Sequence, residues 1–285
     1  MSGNETRVYY VDGEFVPHTE ATIPVSDLAV LRGYGVFDFM RTYGGVVFRL
    51  EDHLARLERS AALVGLPLPW SREELRRVVA ETLARNPREG ECYVRIVVTG
   101  GTSDDGITPS THPRLVVCVD PVRLYPAWQH ERGVAAITVR DERYLPEAKT
   151  INYIPAIVAV QKARAQGADE AIFVDPGGHA LEATRSNLFA FFGDTLATPG
   201  AGILCGITRQ AVLEVAASRF TVEVRAIPLR ELLAADEVFI TATTKEIMPV
   251  AKIDGTAIGG GSPGKRTREM MQLFREYASE YIKRQ

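Results

Sequence analysis

A lysine and a glutamate carry most of the chemistry legible in this chain of 285 residues. Six lysines stand against twenty-seven arginines, so a lysine set between apolar segments is conspicuous, and Lys149 in YLPEAKTINYIPAIVAV is such a residue. Most lysines in this setting are surface groups whose stems run along apolar neighbours. A desolvated one differs, because burial favours the neutral amine, which can form a Schiff base with an aldehyde cofactor. Glu182 lies in ALEATRSNLF, a polar insertion flanked by strand-like residues. Its bland reading is a solvated turn. Its functional reading is a carboxylate beside a pyridine nitrogen, keeping that nitrogen protonated so that the ring accepts electrons from a substrate carbon.

Other motifs do not hold up. Gly259–Lys265, GGGSPGK, matches a phosphate-binding loop up to its eighth position, where Arg266 stands in place of the Ser or Thr that would hold magnesium. A turn opening the last helix is the simpler reading. His18, His53, His112, His130 and His179 lack metal-site spacing, so no metal is expected.

Positioning the lysine and the glutamate takes more than one lobe. With 46% hydrophobic residues and this length, the chain divides into an expected small N-terminal α+β domain over 1–120, a connection rich in proline and polar residues at 121–132, and a larger C-terminal domain over 133–285 that carries Lys149. Alternation predicts an opening hairpin at Val8–Val11 and Glu14–Val16. The spacing of Leu50, Leu54, Leu57, Ala61 and Val64 predicts a helix, and Ser71 with Glu74 marks the capping box of a second. Strands follow at Cys92–Thr99 and Leu115–Val119. The second half alternates strands (Val134–Val139, Ala171–Val174, Leu188–Phe192, Val222–Ile227, Glu237–Thr241) with helices (Ile154–Ala165, Ile207–Arg219), and Met271, Phe274, Ala278 and Tyr281 stripe a final helix. A net charge of −3 gives no electrostatic footprint for nucleic acid. Cys92, Cys118 and Cys205 suit reduced thiols and a cytoplasmic setting. MSGNETRVYYVDG lacks a signal core, and no stretch is apolar enough to span a membrane.

Five motifs in order, FRLEDHLARL, Lys149 with Asn152-Tyr153, EATRSNLF, CGITRQAV and TATTKEIMPV, resemble those of the class IV, fold-type IV aminotransferases. The likeness spans almost the whole chain. It implies a two-domain α+β fold of the D-amino-acid aminotransferase type with pyridoxal 5′-phosphate between the domains. It further implies that Lys149 is the Schiff-base lysine and proton shuttle, and Glu182 the partner of the pyridine nitrogen. The phosphate would be gripped by Arg49, by the Ile207-Thr208 backbone at a helix start, and by Thr243 with Thr244. Elementary electrostatics agrees, since free N–H groups and the positive end of a helix stabilise a dianion. Tyr153 resembles the family tyrosine that approaches the cofactor's phenolic oxygen, although the KxxNY spacing is one residue shorter than in branched-chain members. That shorter spacing is the one found in the D-amino-acid enzymes, which commonly lack the tyrosine.

Substrate selection turns on arginines, whose planar fork matches a carboxylate. The resemblance puts Arg32, Arg95 and Arg185 along the substrate pocket, with Arg32 reaching the neighbouring subunit of a homodimer. Three such cations are similar to an arginine-rich subgroup of D-amino-acid transaminases, and imply transfer from a D-amino acid, such as D-alanine or D-glutamate, to 2-oxoglutarate. A branched-chain L-amino-acid aminotransferase is the alternative, with Phe37 in GVFDFMR as an apolar wall. Further alternatives on the same scaffold are a 4-amino-4-deoxychorismate lyase and a binding protein without turnover.

Overall fold

The computed structural model describes residues 7–86, 90–109 and 111–284. The residues before Arg7, read above for a signal core, lie outside them. The chain forms two compact units, one from the residues up to Arg123 together with Ala148–Asn152, the other from Leu124–Glu147 together with Tyr153–Arg284. The change of unit between Arg123 and Leu124 falls within the segment 121–132 expected to connect the domains. Lys149, expected in the second unit, groups with the first. The physical reason is backbone pairing: Thr150 bridges to Val36, and Ile151 N donates to Gly35 O at 3.1 Å.

The first unit is an antiparallel sheet of six strands in the order Glu14–Pro17, Val8–Val11, Arg114–Pro121, Cys92–Thr99, Gly35–Tyr43, Val46–Val47. Val94, Ile96 and Val98 alternate onto the face that packs with Leu54 and Leu57 of the helix Leu50–Leu63 and Leu75 and Val79 of the helix Arg72–Ala84. Ser71 and Glu74 form the expected capping box. Sequence reading gives no strand at Gly35–Tyr43. Its inward positions hold Asp38 and Thr42 beside Val36 and Met40, which breaks the apolar alternation that marks a strand.

In the second unit the pairings close on themselves. Ser186–Phe192 pairs with Glu237–Ala242, which pairs with Glu246–Ile253; then follow Val134–Arg140, Glu170–Val174 and His179–Ala183, which returns to Ser186–Phe192. Thr195–Thr198 and Thr221–Val224 extend the sheet beyond Ser186–Phe192. Leu188, Ala190, Val238, Ile240, Met248 and Val250 build its core. Three of these strands, His179–Ala183, Thr195–Thr198 and Glu246–Ile253, escape sequence reading because they are short or interrupted by charge. Glu182 is therefore a buried strand residue and not part of a polar insertion. The mixed, two-unit α+β architecture is the one expected.

The rejected phosphate-loop motif also finds its explanation. The helix Lys265–Lys283 begins after Gly264, and the Glu237 carboxylate accepts from Arg266 N at 3.1 Å and Thr267 N at 2.7 Å. The protein's own carboxylate thus fills the anion position. A side chain at Gly264 would drive its Cβ into the Glu237 carboxylate. Among the described residues no helix is long and apolar enough to cross a membrane, and no group of three His, Cys, Asp or Glu could hold a metal.

Candidate active site

Lys149 is fixed by its backbone. Its N–H donates to Ser60 Oγ at 3.0 Å, and its carbonyl accepts from Phe37 N at 2.9 Å. The half-buried side chain brings Nζ 4.4 Å from the centre of the Phe37 ring, so Phe37 forms a wall against the amine. Beneath this wall lies a buried charge cluster that sequence reading missed. Asp38 accepts from Arg56 Nε at 2.9 Å and Nη2 at 2.7 Å, and pairs with His53 Nδ1 at 2.7 Å. Burial pushes the Asp38 carboxyl upward, but Arg56 and then His53 outweigh it and hold the group well below the usual carboxylate range. Burial lowers His53, and the Asp38 charge recovers only part of that shift.

The His53 shift has a measurable sign. An unfolded chain takes up the His53 proton near pH 6.5, whereas the fold resists it. Stability from this group is therefore full above about pH 6.5 and declines as the pH falls below it. We expect His53→Gln to show a shallower fall in melting temperature between pH 7 and pH 5 than the parent. Equal falls would contradict this.

The arginines of FRLEDHLARL are placed differently from the expectation. Arg49 sits at the N-cap of the helix Leu50–Leu63 in a left-handed conformation, with Nη1 3.5 Å from Asp52. It stands eleven positions before Ser60, about 16 Å along the axis. Arg56 is one turn from Ser60 on the buried face. Helical phase thus puts Arg56, and not Arg49, beside the backbone anchor of Lys149.

In the second unit Glu182 is 5% exposed and held on several sides. Arg143 donates through Nε at 2.9 Å and approaches with Nη2 at 2.7 Å; Leu204 N lies 3.2 Å from both oxygens, and Asn187 Nδ2 donates at 3.2 Å. Asn187 also donates to Leu204 O at 2.7 Å, which binds Glu182 to the segment leading into the helix Ile207–Ala216. Its N-cap, Gly206, has no side chain to cap the first turn, and a Cβ there would collide with Asn187 Oδ1. Only Cys205 and Gly206 separate Leu204 from Ile207, at most about 10 Å of chain. Thr208 is buried, and Arg209 anchors the helix start by donating to Pro199 O at 2.9 Å. Thr243 and Thr244 form a half-buried turn closed by Lys245 N to Ala242 O at 3.1 Å. Tyr153 is the half-buried N-cap residue of the helix Ile154–Ala165.

The substrate candidates are spread more widely. Arg95 is exposed on the open face of the first unit's sheet, 5.2 Å over the Phe39 ring. Phe39 is its register partner, so Phe37, two residues on, shares its face. Arg32 is exposed at the end of the helix Leu28–Arg32, where Nη1 donates to Leu31 O at 2.8 Å. Arg185 is the exposed tip between Ala183 and Ser186.

The family described as Amino-transferase class IV matches residues 35–253. The chain belongs to the class IV aminotransferases. This aminotransferase is 36% identical over 280 residues to a Methanocaldococcus jannaschii protein provisionally named a branched-chain-amino-acid aminotransferase, covering 95% of this chain and 96% of that one. It is 33% identical over 264 residues to the D-alanine aminotransferase of Bacillus licheniformis, covering 91% and 93%. A T.th. branched-chain amino acid aminotransferase, solved with pyridoxamine 5′-phosphate, superposes with a TM-score of 0.90 at 28% identity, covering 97% and 95%. The cofactor of this aminotransferase is pyridoxal 5′-phosphate. Its residues fit that group: Lys149 sets an amine beside the Phe37 ring, and the buried Glu182 carboxylate accepts from Leu204 N, two positions before Gly206, the N-cap of the helix Ile207–Ala216. Sequence reading missed Asp38, Arg56, Arg143 and Lys245. Three of them lie in motifs already singled out: Asp38 in GVFDFMR, Arg56 as the second arginine of FRLEDHLARL, and Lys245 in TATTKEIMPV.

Proposed function

We propose that this aminotransferase moves an amino group from a D-amino acid, such as D-alanine or D-glutamate, to a 2-oxo acid, with 2-oxoglutarate as acceptor. The observation that carries the carboxylate preference is Arg95, exposed on the same sheet face as Phe37, whose ring lies against the Lys149 amine. Diagonal neighbours across strands are about 7–8 Å apart, a spacing that suits a short dicarboxylate. Arg32 and Arg185 add exposed guanidinium groups, and the D-alanine aminotransferase relative favours the D series.

Pyridoxal phosphate, when bound, supplies an aldehyde carbon and an electron-accepting ring. In this reading Lys149 holds the cofactor and moves the proton at the substrate Cα. Glu182, oriented by Arg143, Asn187 and Leu204 N, holds the proton at the pyridine nitrogen. Ile207, Thr208, Thr243, Thr244 and Arg56 hold the phosphate, Arg56 taking the part expected of Arg49. Tyr153 approaches the phenolic oxygen, and Arg95 and Arg185 orient substrate carboxylates. Arg32 does so from a second copy of the chain, and the exposed Ile154, Ile157 and Val158 of one helix face suit a homodimer.

A panel of half-reactions with D- and L-alanine, glutamate and leucine, followed by absorbance, tests the reading. Faster conversion with the D-isomers is expected, and conversion confined to L-leucine favours the branched-chain alternative that the Methanocaldococcus jannaschii relative suggests. Arg32→Ala and Arg185→Ala are each expected to lower kcat/KM for 2-oxoglutarate about 10- to 100-fold, the worth of a charged hydrogen bond. Unchanged kcat/KM would remove that arginine from the pocket.

A further inference from the structure

The second unit contains a buried ion pair that none of these roles uses. Lys245 and Glu170 are 6% and 3% exposed. Lys245 Nζ donates to Glu170 Oε2 at 2.5 Å and to Ser186 Oγ at 3.0 Å. Thr184 Oγ1 and Ala171 N donate to the other oxygen of Glu170. A buried pair contributes little net stability, because desolvation offsets the attraction, and its best-attested use is to fix one arrangement against others.

Two turns meet at this pair. Lys245 is the last residue of the Ala242–Lys245 turn that presents Thr243 and Thr244, and its carbonyl accepts from His130 Nε2 at 3.3 Å. Thr184 and Ser186 flank Arg185, in the turn that follows Glu182. Both Thr184 and Ser186 are tied to the pair, so the two turns share one set of bonds. With Nζ fixed at one end and the backbone at the other, the Thr243–Thr244 turn cannot rock about its strand ends without breaking charged hydrogen bonds in a site that water does not reach.

We propose that Lys245 is a positioning residue: by bonding Glu170 and Ser186 it sets the Thr243–Thr244 turn against the Thr184–Ser186 turn, and so aims the hydroxyls that take the cofactor's phosphate. This rests on the phosphate role assigned above to Thr243 and Thr244. A residue that merely supported the fold would change melting temperature without changing what the site prefers to bind.

The test compares the affinity of cofactor-free protein for pyridoxal 5′-phosphate with that for pyridoxal, which lacks the phosphate, because their ratio isolates the phosphate end. Lys245→Met with Glu170→Leu removes both charges together, leaving neither buried alone. The expected result is a melting temperature close to the parent and a ratio at least about tenfold lower, the loss of one well-placed charged contact. A parent-like ratio in the folded double variant would overturn the proposal. Should that variant not fold, Ser186→Ala takes its place, since it removes one anchor and keeps the ion pair. A ratio about threefold lower is expected, and an unchanged one overturns the proposal. Thr243→Val in the parent separates the two levels of inference. A lowered ratio there upholds the phosphate role independently of Lys245, and an unmoved one overturns that role and the positioning with it.

Discussion

Lys149→Ala is expected to lower turnover by at least about 10⁴-fold and to abolish covalent attachment of the cofactor. The substitution removes the nucleophilic amine and the proton carrier together, and general acid–base catalysis alone is worth about 10²–10⁴-fold. The backbone anchors are indifferent to it, since Lys149 N still donates to Ser60 Oγ and its carbonyl still accepts from Phe37 N. A parent-like melting temperature of the cofactor-free variant would show that the loss is chemical. Persisting turnover would mean that another group carries the reaction.

Asp38→Ala is expected to cost about 3–5 kcal/mol of folding stability, the penalty for stranding a buried charge. Arg56 is 5% exposed and bonds Asp38 through two nitrogens, so alanine leaves a guanidinium in the core of the first unit facing His53. That is a large share of the roughly 5–15 kcal/mol typical of a folded domain. The pH dependence follows from the depressed carboxyl. Its contribution is full above the unfolded value near pH 4 and is lost as the pH falls through the lower folded value. Denaturant titration at pH 7 reads the cost, and an acid titration of the parent should show the loss beginning only below about pH 4. A variant as stable as the parent at pH 7 would mean that Arg56 finds another partner.

How much of this was legible in the sequence depends on the range over which each feature is decided. Lys149 and Glu182 stood out as candidates by type, because few residues can be an amine in an apolar stretch or an acid in a polar insertion flanked by strand-like residues. Arg49 and Arg56 stand in one motif. Choosing between them needs the helical phase relative to Lys149, which comes from a segment about ninety positions away pairing with the strand that begins at Gly35. Asp38 hid its own strand, because a charge at an inward position reads as a break in alternation until its partners are known. Lys245, next to Glu246, reads as a solvated pair on a turn. Its true partner, Glu170, is 75 residues earlier and meets it only when the strands close into a ring. Local pattern thus gave the mixed α+β class and most helices, while the partner of each buried charge was set by long-range pairing.

Borohydride reduction of the cofactor-loaded protein, followed by peptide mass mapping, tests the central claim most directly. One pyridoxyl group on Lys149 is the expected product. A label on Lys245 or any other lysine, or none at all, would contradict the account.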